Sequence, residues 1–250
     1  MLDRGAEPDI FLAAALGDLE LARDLVAKDP SVTQHRIVYN NGAFPGIGHE
    51  VRGGTIYQWT LGFNLSPHEV ALKHGHESVY EYLLEHTPPR HQLLVACTSA
   101  NRNLAESIIS KHPRLVQELD AEDKTLLAKF CWETNISMDA VRLMLEFGFP
   151  IDVPEPNHSF MALHNAAWCG HADLVKLLLD RGHPLDRRDP EYNATALGFA
   201  IHSCTEAKRH PEGKFAKVVE LLVKAGVPVD DHQYPSGDES IDVVLSATMP

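Results

Sequence analysis

Along this chain apolar residues recur as a pair, a gap of two, and a second pair. The segments are Leu21-Ala22 with Leu25-Val26, Val79-Tyr80 with Leu83-Leu84, Leu104-Ala105 with Ile108-Ile109, Ala140-Val141 with Met144-Leu145, Leu174-Val175 with Leu178-Leu179, and Val218-Val219 with Leu222-Val223. Residues at i, i+1, i+4 and i+5 form one stripe on a helix, so each segment predicts an amphipathic helix with a single buried face. Before each lies a shorter run rich in small residues: Phe11 to Leu16, Pro67 to His74, Leu93 to Ser99, Leu126 to Glu133, Leu163 to Cys169 and Ala196 to Ser203. Alanines at one register of these runs, such as Ala13, Ala71, Ala96, Ala166 and Ala200, let neighbouring helices approach closely.

Punctuation completes the unit. Gly75-His76 and Gly170-His171 separate the two helices, and Gly148-Phe149-Pro150, Gly182-His183-Pro184 and Gly226-Val227-Pro228 follow the second. Glycine supplies the left-handed cap there and proline forbids continuation. A helix, turn, helix, loop unit of about 33 residues resembles the ankyrin repeat. The resemblance covers most of residues 8–230 and is sharpest at Ala162-Leu163-His164-Asn165-Ala166-Ala167 with Gly170-His171 and Leu174 to Leu179. Two units depart from it: Ser66-Pro67-His68-Glu69 has His where the family has Leu and Glu where it has His, and Thr195-Ala196-Leu197-Gly198 lacks the His. The resemblance implies a single all-α ankyrin-type solenoid over residues 1–250, with about six helix pairs and a C-terminal cap at 231–250 that contains a half repeat at Ser240 to Thr248.

The period also fails in informative places. The stripes begin at residues 21, 79, 104, 140, 174 and 218, so the first step is much too long, the second too short and the last about ten residues too long. The first excess is an insertion at 32–65. Its Ile37-Val38-Tyr39 and Thr55 to Thr60 are β-branched and aromatic around a Gly-rich middle, which predicts a β-like hairpin flap. Gly46, Gly48, Gly53 and Gly54 make no nucleotide loop, since no Lys-Ser/Thr comes after them. The second excess, 204–214, lengthens the link inside the sixth pair. Cys97, Cys131, Cys169 and Cys204 fall one to a rung, and inner helices about 8–10 Å apart exceed the ~7 Å reach of a disulfide. The spacing therefore predicts four free, mostly packed thiols.

Composition narrows the function. A net charge of -13, with 35 Asp and Glu against 22 Lys and Arg, argues against nucleic-acid binding. No run approaches the roughly 20 apolar residues of a membrane span, and no signal-peptide pattern opens the chain. The expectation is a non-exported, cytoplasmic protein with no cofactor and no metal.

The family resemblance implies that the two residues after the paired small residues face a concave groove. Carried over, and extended to Asn135, these are Lys73, His74, Thr98, Ser99, Trp132, Glu133, Asn135, Trp168, Cys169, His202 and Ser203. Two tryptophans on adjacent rungs beside polar groups describe a ligand site, and equally the aromatic anchors of a protein interface. The expectation is recognition of a protein or peptide partner. The alternative is a small-molecule-binding protein or enzyme, with Cys169 and His202 as a thiol and base and Glu133 as acceptor. A metal reading would gather His202, His210, Cys169 and His158. Of the other histidines, His76, His164 and His171 read as structural, while His86, His112 and His183 fall near helix ends where an imidazolium is favoured.

Overall fold

Short polar side chains decide where the first helices begin. In the computed structural model, which describes residues 8–37, 57, 60–62, 65–132, 136–154 and 160–247, Asp9 accepts the Leu12 N–H at 2.9 Å and opens α1 (Ile10–Leu16). Asp18 does the same for α2 (Leu19–Lys28), taking the Leu21 N–H at 3.0 Å. A reciprocal Ser66–Glu69 capping box starts α3 (Pro67–Lys73), which is followed by α4 (Glu77–Glu85). Pro89 then sets the first turn of α5 (Pro89–Thr98), four residues ahead of its apolar run, and Asn101 caps α6 (Arg102–Lys111). These helices lie in a compact unit, Met1–Leu115.

A second unit, Val116–Pro250, holds α7 (Leu126–Phe130), α8 (Met138–Glu146), α9 (Ala162–Trp168), α10 (Ala172–Asp180), α11 (Ala196–His202), α12 (Phe215–Ala225) and α13 (Glu239–Ser246). The inner helix α9 packs between α7 and α11, while α12 packs on α10, α11 and α13. The register alanines Ala13, Ala71, Ala96, Ala166 and Ala200 are all fully buried, and so are the stripe residues Leu174, Val175 and Leu178. Buried alanine at each rung is what permits this close stacking, because an added methylene in such a core costs about 1–3 kcal/mol. All four cysteines are free, with Cys97, Cys131 and Cys169 buried.

Three expectations need correction. The helix predicted over Leu126 to Glu133 ends at Phe130, and Cys131 and Trp132 form a tightened turn in which the Trp132 N–H meets the Lys129 carbonyl at 3.3 Å. Tyr57 and Thr60, expected in a strand, are helical, with the Leu61 N–H on the Tyr57 carbonyl at 2.8 Å. The cause is tertiary: the Tyr57 hydroxyl donates to Asp9 at 2.7 Å and its ring lies 5.8 Å from that of Phe11. Residues 38–56 and 58–59 of the expected hairpin lie outside the described residues. His183, expected as a charged helix-end group, is instead buried, and that burial lowers its pKa. Among the described residues there is no β-strand.

The ends of the first insertion are firmly seated. Ile37 and Leu61 join the core with Phe11, Val70 and Val79, and the Ile37 N–H donates to the Leu65 carbonyl at 2.9 Å. Arg36 pairs with Glu69 at 3.2 Å. The family departure at His68-Glu69 thereby acquires a cause. Glu69 serves the capping box and Arg36, while buried His68 places Nε2 2.9 Å from the Thr87 hydroxyl. Since Thr87 gives its own hydrogen to the Leu83 carbonyl at 2.7 Å, the imidazole is the donor.

Candidate functional site

In the second unit, aromatic rings from successive repeats touch in an unbroken run. Trp132, in the turn after α7, and Trp168, at the end of α9, stack with centroids 5.9 Å apart and planes 14° from parallel. His202, at the end of α11, lies 5.7 Å beyond Trp168. Phe199, one turn earlier on α11, meets Trp168 edge-on at 6.0 Å and Phe160 at 4.8 Å. Phe160 also lies 6.4 Å from Trp132 and 6.5 Å from Tyr192. Helical spacing brings Trp168 and His202 to equivalent rungs. Phe160 and Tyr192 come from the loops before α9 and α11.

Tyr192 is held by its turn. The carboxylate of buried Asp189 accepts the N–H groups of Glu191 at 3.0 Å, Tyr192 at 2.7 Å and Ala194 at 2.9 Å, closing residues 189–194 into a tip. Arg188 fixes the base of that tip, donating to the Asn193 carbonyl at 2.8 Å and to both Asp230 oxygens at 2.8 and 3.0 Å. Tyr192 stands at this tip 66% exposed.

The expected groove residues scatter in their environments. In the first unit, Lys73 and His74 are exposed, and the Lys73 ammonium donates to the Leu61 carbonyl at 2.5 Å. Ser99 and Thr98 spend their hydroxyls on the Val95 carbonyl at 2.6 Å and the Leu94 carbonyl at 3.1 Å. In the second unit Trp132 and Trp168 are half-buried and His202 is exposed. Trp168 Nε1 is buried with no hydrogen-bond acceptor in the structure. Glu133, Asn135 and His158 lie outside the described residues.

Ser203 does not face a groove. It is 0% exposed, because α11 runs into a single wide turn, Ser203–Ala207, that rotates it inward; the Lys208 N–H reaches back five residues to its carbonyl at 2.9 Å. Cys169, only 3% exposed, directs its thiol at the Trp132 carbonyl, 3.5 Å away. That geometry ties α9 to the turn after α7, and Asn165 ties it to α7 itself, its side-chain N–H donating to the Ala128 carbonyl at 2.9 Å. Burial pushes the Cys97 thiol up to about 12, and burial with the nearby Asp238 raises that of Cys204. Among the described residues no cluster of three His, Cys, Asp or Glu side chains is arranged to hold a metal ion.

The 204–214 loop builds a separate feature. Its Lys214 N–H donates to the Gly170 carbonyl at 2.9 Å, which seats the loop on the turn between α9 and α10. A cleft of about 270 Å³ lies there, lined by Met138, Leu174, His171, His210, Arg209 and Pro211 among others.

Both tryptophans and His202 are legible in the sequence, whereas Phe160, Phe199 and Tyr192 were missed there. The Asp189-Pro-Glu-Tyr-Asn run was the available signal for Tyr192, since an Asp-Pro pair opens a tight turn and lifts the next residues into solvent.

Residues 93–189 match the family model for ankyrin repeats, in three copies. No curated protein matches the sequence. Among solved structures, the ankyrin repeat domain of Bcl-3, described as a unique member of the IkappaB protein family, is similar with a TM-score of 0.52 and 18% identity over 96% of this chain and 99% of that one. At that identity the likeness speaks for the fold alone. Among the described residues no helix is long and apolar enough to cross a membrane. Residues 93–189 are ankyrin repeats by sequence, and over nearly its whole length the chain has the fold of an ankyrin repeat domain.

Proposed function

We propose that this is a protein-interaction module whose second unit receives a protein or peptide segment on the aromatic face of Trp132, Trp168, Tyr192 and His202. The observation that carries the reading is the exposed Tyr192 continuous with a ring run that spans three repeats. Aromatic anchors surrounded by polar residues are the usual energetic centre of a protein interface.

The small-molecule or enzyme alternative has less behind it. Stacked rings 5.9 Å apart leave no slot, since a flat ligand between them needs two contacts of about 3.5 Å. The Cys169 thiol is aimed at a backbone carbonyl, and Ser203 is buried.

Titration of the purified chain with a peptide library, followed by tryptophan fluorescence, tests the proposal. Hits should perturb the emission, and Tyr192→Ala should weaken them about tenfold or more while the helical circular dichroism is kept, because an exposed anchor contributes little to folding. Binding that ignores Tyr192→Ala and His202→Ala, or a metabolite hit with turnover, would overturn it.

A further inference from the structure

We infer that the segment received on this face is cationic, carrying arginine or lysine side chains toward Tyr192 and His202. The inference rests on the interaction reading above and adds the chemistry of the partner. Residues 116–250 carry 22 Asp and Glu against 12 Lys and Arg, whereas residues 1–115 carry 13 against 10, so the acidic excess sits in the unit that bears the aromatic face.

Local geometry sharpens the asymmetry. Glu191 adjoins Tyr192, and its carboxylate raises the phenol above its ordinary value. Glu206 lies one turn beyond exposed His202 and is itself exposed. Two cations near the rings are already engaged: Lys129 pairs with Glu122 at 3.5 Å and Arg188 is held by both oxygens of Asp230, while Arg187 is exposed beside buried His183. Lys208, just past Glu206, shares the surroundings of Cys204 with Asp238.

An apolar segment laid on this face would strip water from Glu191 and Glu206 without compensation, and an acidic one would add repulsion. A guanidinium or ammonium satisfies both requirements: it is attracted to an aromatic face and pairs with a flanking carboxylate.

Three labelled peptides of about twelve residues, alternating leucine with arginine, serine or glutamate, test this by fluorescence anisotropy on the full chain. The arginine peptide should bind tightest, and its affinity should fall as NaCl is raised from about 50 to about 300 mM. Tyr192→Ala should weaken it about tenfold or more, Tyr192→Phe should retain it because the ring face remains, and Glu191→Gln with Glu206→Gln should weaken it about fivefold. The two tyrosine variants together separate recognition at this face from attraction to an acidic protein in general. If the serine or glutamate peptide binds tightest and is lost in Tyr192→Ala, the interaction reading stands and the cationic inference fails. If the arginine peptide binds equally to Tyr192→Ala, the cation is not read at this face and the inference fails. If no peptide binds, both readings fail.

Discussion

At the scale of single residues, the fold keeps several imidazoles out of water. His68 and His164 are essentially fully buried, and that burial lowers their pKa from 6.5 to about 4, with His183 lowered in the same direction. Between those values the unfolded chain takes up protons that the folded chain refuses. Stability is therefore complete above about pH 6.5 and declines as pH falls toward 4, by as much as about 3 kcal/mol for each of the first two. Urea midpoints should drop steeply between pH 7 and 4.5. His68→Leu restores the residue type that the repeat pattern favours and leaves Thr87 bonded to Leu83, so it should flatten that slope. An unchanged slope in the variant would show that His68 is charged in the folded state. The sequence marked His68 only as a mismatch. Its partner Thr87 lies 19 residues away, and nothing in local periodicity connects the two.

At the scale of elements, legibility followed periodicity. All six helix pairs could be read because the apolar stripe recurs in every one, with the alanine register in five and Gly-Pro punctuation in three. The α7 helix came out short because apolar content continues past Phe130 while the backbone turns. The helical Tyr57 was hidden because Asp9 and Phe11, some 48 and 46 residues earlier, decide its conformation. The 204–214 loop was visible as an excess of residues but not as a seated one. Its seat has a sharp steric signature: Gly170 holds φ at +69°, and a Cβ there would lie 2.5 Å from Gly213 Cα. Gly75 has a similar φ of +77° with nothing within 4 Å. Gly75→Ala should thus show only the left-handed penalty of about 1–2 kcal/mol. Gly170→Ala should show that penalty and also unseat the loop, seen as faster tryptic cleavage after Lys208 and Arg209. Equal cleavage rates in the two variants would mean that the Gly170 contact does not hold the loop.

At the scale of the whole molecule, charge couples stability to recognition. Many of its ion pairs are exposed pairs within one helix, such as Arg23–Glu20, Arg142–Asp139, Lys176–Asp180 and Lys217–Glu220. Each contributes well under about 1 kcal/mol. Against them stands a net charge of -13, whose mutual repulsion favours the expanded chain. Screening shortens to about 8 Å in physiological salt and about 3 Å at 1 M, so it weakens this diffuse repulsion more than it weakens short contact pairs. Raising NaCl from about 20 mM to about 0.5 M should therefore raise Tm, and a relief of about 1 kcal/mol corresponds to roughly 2–4 °C for a chain of this size. Differential scanning calorimetry across that range measures it, and a falling Tm would mean that the contact pairs outweigh the repulsion. The arginine peptide makes the same argument from the other side. A cation bound only by the folded chain stabilises it by linkage, so the peptide should raise Tm most at low salt, where the protein alone is weakest. A peptide effect that grew with salt would place its binding energy in apolar contact rather than in charge.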